Sequence, residues 1–314
     1  MRSSSLIGLA TTLSTVSAAI KGFNYGAAFT DGRIKQQNDF ELAFNEANTL
    51  AGAPGYNSAR LFTTIQGGTV DTPISAIPAA LSTDTTLLMG LWCSAGEDVF
   101  NNELSALVNA INQYGQPLVD KMDGISVGSE DLYRISPMGI QNGENPGAGP
   151  EVISGYVDRV RSALSGTIAS NVPIGHVDTW TAWVDASNQA VIDSCDFIGM
   201  DAYPYFQYEM ANSIENSRSL FFDAYQATVD AAGDKPVWIT ETGWPVGGDT
   251  LNLAVPGLDN AETYWKEVQC AVVESDVNTW WYILNDGPSS PSFSVLGGQQ
   301  AGPFDDSPLY DLSC

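Results

Sequence analysis

Apolar residues fall into eight short, nearly continuous runs. They are Gly22–Phe29, Ser58–Ile65, Leu87–Cys93, Gly124–Glu130, Pro173–Trp180, Phe197–Tyr203, Val237–Glu241 and Thr279–Leu284. Runs of this length without polar alternation are expected of parallel strands buried on both faces. Between them the apolar spacing changes to helical. Phe40, Ala43, Phe44, Ala47 and Leu50 repeat at that period within Asn38–Ala51. So do Leu104, Leu107, Val108 and Ile111, and then Ile153, Tyr156, Val157, Val160 and Leu164. Phe221, Phe222, Tyr225 and Val229 continue the series, followed by Tyr264, Val268 and Val272. Pro150 and Asp185 read as helix starts. The helical pattern is weaker after the second and fifth runs. Eight strands alternating with helices predict an α/β fold, a single-domain (β/α)8 TIM barrel over residues 20–314. The alternative is an open doubly wound sheet. No GxGxxG follows the first run and no phosphate-binding loop is present, which argues against it.

Composition narrows the partners. Hydrophobic residues make up 44% and charged residues 16%, the balance of a globular chain. Twelve Lys and Arg against 37 Asp and Glu leave a net charge of −25. Such a surface repels nucleic acid and anionic membranes but not a neutral polysaccharide. The one histidine, His176, excludes a multi-histidine metal site, and no cofactor is expected. His176 lies inside the fifth run and reads as a hydrogen-bonded structural residue. Residues 1–19 combine Arg2, a short apolar stretch and small residues at Val16–Ala19, the pattern of a secretory signal peptide. The product is expected to be a secreted monomer, extracellular or in the cell wall. Cys93, Cys195, Cys270 and Cys314 then suit two disulfides. Placement along the predicted barrel favours Cys195–Cys270, leaving Cys93 with Cys314; Cys270–Cys314 is the competing pair.

A barrel carries its chemistry at the C-terminal ends of its strands. Glu130 ends the fourth run and Glu241 the seventh. A carboxylate after an apolar run is costly unless it has partners or a task. Two carboxylates across a barrel mouth can cleave a glycosidic bond, one as acid and the other as nucleophile. The structural alternative is that each pairs with an arginine or caps a helix. Asp131 is the nearest rival acid, but strand alternation points it away from Glu130.

Ile239-Thr240-Glu241-Thr242-Gly243-Trp244-Pro245 resembles the nucleophile motif of glycoside hydrolase family 17, the β-1,3-glucanases. Phe23-Asn24-Tyr25-Gly26, Val127-Gly128-Ser129-Glu130 and Ala202-Tyr203-Pro204-Tyr205-Phe206 are similar to other motifs of that family. Gly128–Arg134 and Gly175–Thr181 are similar to its secreted fungal branch. The resemblance runs from the first strand to the eighth. It implies a retaining endo-β-1,3-glucanase, with Glu130 as acid/base and Glu241 as nucleophile. Its substrate would be β-1,3-glucan polysaccharide or oligosaccharides. The alternative is a β-1,3-glucanosyltransferase using the same two glutamates. Ser129 departs from the plant branch, which has an asparagine there that in the wider clan contacts a sugar hydroxyl.

Aromatic rings match the apolar faces of pyranoses in area and shape. Trp92, Trp180, Tyr203, Tyr205, Phe206 and Trp244 lie at or just beyond strand ends and read as sugar platforms, Trp244 and Tyr205 foremost. Rim packing under loops is the alternative for each. Tyr25 and Tyr203 are placed to bond the nucleophile or a sugar hydroxyl. Trp280 and Trp281 are adjacent, so on a strand they face opposite sides.

Overall fold

Eight strands close on themselves in the computed structural model, which describes residues 18–298, 300 and 304–314. Most of the expected signal peptide, residues 1–17, lies outside the described residues. The strands are β1 Lys21–Tyr25, β2 Ser58–Leu61, β3 Thr86–Leu91, β4 Met122–Ser129, β5 Ile174–Thr179, β6 Phe197–Asp201, β7 Val237–Glu241 and β8 Thr279–Trp281. Each is parallel to the next, and β8 pairs with β1. This is the predicted (β/α)8 barrel.

Helices cover the outside. Gln37–Asn48, Glu97–Tyr114, Pro150–Leu164 and Ile214–Ala232 carry the apolar stripes read from the sequence, with Phe40, Leu107, Val157 and Phe221 buried against the barrel. Pro150 is the first helical residue of its segment, where its missing N–H costs nothing. Asp185 caps a short 3-10 turn by accepting the Ser187 N–H. The crossover after β2 carries the helix Ala76–Thr83, and that after β5 carries two short helices, Trp180–Trp183 and Gln189–Ser194. No helix among the described residues is long and apolar enough to cross a membrane.

The two adjacent tryptophans divide between cores. Trp280 meets Leu88 and Phe197, with Trp238 stacked on Phe197 at 3.8 Å. These side chains come from strands that are not all neighbours, so they meet in the lumen and plug its base. Trp281 packs outward against Trp265. The hairpin Leu296–Gly298 with Phe304–Pro308 was not legible in the sequence.

The disulfide expectation is corrected. Cys270 bonds Cys314, while Cys93 and Cys195 are free and buried. The C-terminal tail lies along the helical run before β8 rather than climbing toward Cys93. Trp265 Nε1 donates to Leu312 O at 2.9 Å, and Lys266 Nζ to Asp311 Oδ2 at 2.7 Å. Non-reducing peptide mapping should find this single bond and two thiols that alkylate only after unfolding. Cys270→Ser should cost about 2–4 kcal/mol of stability, read from denaturant unfolding.

Candidate active site

The sequence delivers Glu130 through a bulge. The β4–β5 register shifts between Ser126 and Ser129, and Gly128 has φ +93°. A Cβ at Gly128 would sit 2.2 Å from Asp131 Oδ2 and 2.9 Å from the His176 ring, so only glycine fits. Glu130 itself is left-handed, φ +58°, a conformation unusual for a side chain of this kind. Its N–H donates to Val177 O at 2.9 Å, tying the turn to β5. Its side chain keeps 23% of its surface exposed at the barrel mouth.

Glu241 ends β7 beside Asp201, which ends β6. It is held from two sides. Arg60 Nη1 donates to Oε1 at 2.5 Å, and the Tyr203 hydroxyl donates to Oε2 at 2.8 Å. Arg60 comes from β2 and is 1% exposed. It also donates to Asn24 Oδ1 at 2.6 Å and to Ser129 Oγ at 2.9 Å. Asn24 in turn donates to backbone carbonyls of Thr240, Trp280 and Trp281, bridging β1 to β7 and β8. A buried guanidinium with these acceptors gives Glu241 a fixed, charge-compensated orientation.

Glu130 and Glu241 approach closely. One carboxyl oxygen from each of Glu130, Asp201 and Glu241 lies within 4.8 Å of the others. Burial first, then the charges of Glu241 and Asp178, push the Glu130 carboxyl up to about 8, against the pull of Arg134 at 3.8 Å. Asp201 is pushed far above the usual carboxylate range by burial and by Glu241. It is 1% exposed; Oδ1 accepts the Thr240 hydroxyl at 2.7 Å and Oδ2 has no partner. Glu130 is raised while Glu241 is paired with Arg60, the arrangement that acid and nucleophile need. Three carboxyls together invite a cation, but Arg60 already supplies the positive charge there.

The candidate sugar contacts divide. Tyr203 bonds Glu241 as read from the sequence. Phe206 is 44% exposed, and Trp180 and Trp92 are half-buried at the rim, with Arg134 over the Trp92 ring at 5.2 Å. Trp244 and Tyr205 are each 1% exposed and cannot serve as platforms. Trp244 donates to Val255 O and packs on Tyr264, while the Tyr205 hydroxyl donates to Asp249 O. Together they anchor the loop after β7. Tyr25 is also buried and its hydroxyl has no partner, so it bonds neither nucleophile nor surface. Ser129 is occupied by Arg60. Asp131 is buried, accepting from Ser94 Oγ and Ser129 N, and leaves the mouth to Glu130. In the segment after Ser136, Glu144 shares Arg134 with Glu130, at 3.5 Å.

Sequence reading missed Arg60, Asn24 and Asp201. Arg60 had a signal, a lone charge inside an apolar run. Asp201 met the strand-end criterion that selected the two glutamates.

A closed parallel barrel with two facing glutamates at its mouth, one neutral and one paired to a buried arginine, defines a barrel glycoside hydrolase. Residues 22–291 match the BtgE/BtgC glycoside hydrolase domain, and the chain belongs to that family. The family 17 resemblance of its motifs holds. A protein of Aspergillus oryzae named a probable glucan endo-1,3-β-glucosidase is 52% identical over 317 residues, spanning 100% of this chain and 67% of that protein. A namesake from Aspergillus fumigatus is also 52% identical, with 70% of its length covered. Among solved structures, a family 17 β-1,3-glucanosyltransferase from Rhizomucor miehei shares the fold with TM-score 0.71 and 24% identity, over 88% of this chain and 93% of that one. A β-1,3-glucanase of Cryptomeria japonica pollen does so with TM-score 0.66 and 16% identity, over 94% and 99%.

Proposed function

We propose that the chain is an endo-β-1,3-glucanase that cleaves its glucan with net retention, Glu241 attacking the anomeric carbon and Glu130 serving as acid and then base. The observation that carries this reading is the carboxyl separation. A carboxyl oxygen of Glu130 within 4.8 Å of one of Glu241 sits with the shorter of the two separations that glycosidases use. Inversion needs roughly 6.5–9.5 Å between the carboxyls and retention about 5–5.5 Å. In the first step Glu130 gives its proton to the leaving oxygen while Glu241 forms the glycosyl ester. Esterification removes the Glu241 charge that helped hold the proton on Glu130. Glu130, now a carboxylate, takes a proton from the incoming water, which cleaves the ester and restores both groups. Arg60 and Tyr203 hold Glu241 charge-compensated and aimed.

The chain works as a secreted monomer. The first nineteen residues, the acidic surface and the disulfide support secretion, and all the groups named above come from one chain. Glucanosyl transfer uses the same ester with a sugar hydroxyl in place of water, so transfer products should grow with oligosaccharide concentration. Proton NMR during the first minutes of laminari-oligosaccharide hydrolysis tests the stereochemistry. The new reducing ends should be β and then mutarotate. Initial α-anomer would remove Glu241 from the nucleophile's role.

A further inference from the structure

Behind Glu130 lies a buried polar cluster that plays no direct part in bond cleavage. The side chains of His176 and Asp178, both on β5, are 0% exposed. His176 Nδ1 is 2.6 Å from Val127 O, and Nε2 is 2.9 Å from Asp178 Oδ2. A backbone carbonyl only accepts, so Nδ1 carries a proton. The second proton lies between Nε2 and Asp178. Asp178 also accepts three backbone N–H groups, Leu132 and Thr179 at 2.8 Å and Tyr133 at 3.2 Å. With Asp178 the acceptor in all three of those bonds, Nε2 is the donor in the fourth.

The cluster grips both sides of the left-handed Glu130. Val127 precedes the bulge, and Leu132 and Tyr133 follow it. Asp131 Oδ2 accepts the Ser129 N–H at 2.8 Å from within. We propose that His176 is a buried imidazolium throughout the enzyme's working range and, through Asp178, the positioning residue that holds the Glu130 turn in its proton-donating geometry. This rests on the assignment of Glu130 as the acid.

The titratable groups facing the ring are Asp178 on its own strand and Asp131 from the turn after β4. The Trp183 indole meets it edge-on at 5.6 Å, and the Cys195 thiol lies against the His176 backbone. Burial pulls the ring's affinity for its proton down. The Asp178 hydrogen bond and charge, with Asp131 and Val127, outweigh that and leave it above the ordinary histidine value. A group raised in this way is charged below its ordinary pKa and remains so for some distance above it.

Only one histidine exists in the chain, so histidine-labelled protein reports this residue alone. Nitrogen-15 NMR should find both ring nitrogens protonated from about pH 5 to about pH 7.5, a range in which a free imidazole loses its charge. A bare nitrogen anywhere in that range overturns the proposal, whatever the kinetics show. His176→Gln supplies the functional arm. It should lose roughly tenfold to a hundredfold on laminari-oligosaccharides, a part of the ~10²–10⁴ that a placed general acid contributes, and under about threefold on a dinitrophenyl glycoside that needs no acid. Its alkaline limb should move to higher pH, because Asp178 without its cation raises Glu130 further. Equal losses on both substrates with an unmoved limb would reduce His176 to packing. Glu130→Ala is the control: if it shows no leaving-group dependence either, the acid assignment has failed rather than this one.

Discussion

Glu241→Gln should lower kcat on β-1,3-glucan by roughly 10⁴-fold or more, the scale on which removal of a nucleophile acts. The amide keeps the volume and an acceptor oxygen, so the change is one of charge. Whether the fold tolerates it turns on Arg60, a buried guanidinium whose nearest ionised partner is then gone. Two features keep it compensated. Asn24 and Ser129 still accept from its two terminal nitrogens. Asp201 stands close by, and the influence of Glu241 that, after burial, raises its carboxyl is then removed. The variant should therefore unfold close to the wild-type midpoint while turning over almost no substrate. A fluorinated glycoside should label the wild type on the peptide containing Glu241 and leave the variant unlabelled. Near wild-type turnover in a pure, folded sample would exclude Glu241 as nucleophile.

The barrel was legible because each strand is a run of residues that water would not hold. The strand starts fell within two residues of those observed. Three of the ends did not, those of β1, β2 and β8, because apolar residues continue into rim loops: the first run extends to Phe29, whereas β1 stops at Tyr25 and Phe29 is buried at the start of a turn. The two glutamates were legible for the complementary reason, charge where the pattern demands none. Arg60 carried the same signal but stood in mid-run, where no strand-end rule looks for it. Aromatic residues carried no signal of exposure at all. Trp244 and Phe206 both follow strand ends, yet one is roofed by its own loop and the other open, a difference decided by Val255 O reaching the Trp244 indole. The disulfide depended on the path of the last few residues, which periodicity does not encode.

Glu130→Ala should divide substrates by the quality of their leaving group. A glucosyl leaving group needs a proton as the bond breaks, so hydrolysis of laminari-oligosaccharides should fall by about 10²–10⁴-fold, the range of general acid catalysis. A dinitrophenolate leaves unaided, so the glycosyl ester on Glu241 should still form from the activated glycoside. Water then lacks its base and the ester accumulates. Azide needs no base and fits the space vacated by the carboxyl, so it should speed breakdown and yield the β-azide. The pH profile of the wild type ties these results to the same group. Burial and Glu241 raise Glu130 to about 8, so the acid form is present below that value and is lost as pH climbs through it. Activity on poor leaving groups should decline along an alkaline limb in that region, and the limb should vanish for dinitrophenyl glycoside cleavage by Glu130→Ala. Equal damage to good and poor leaving groups, with the limb retained, would mean that another residue supplies the proton. Among the described residues Asp201 is the buried raised carboxyl next to the two glutamates and so the one to test next, although its unpartnered Oδ2 is buried away from the cleft surface.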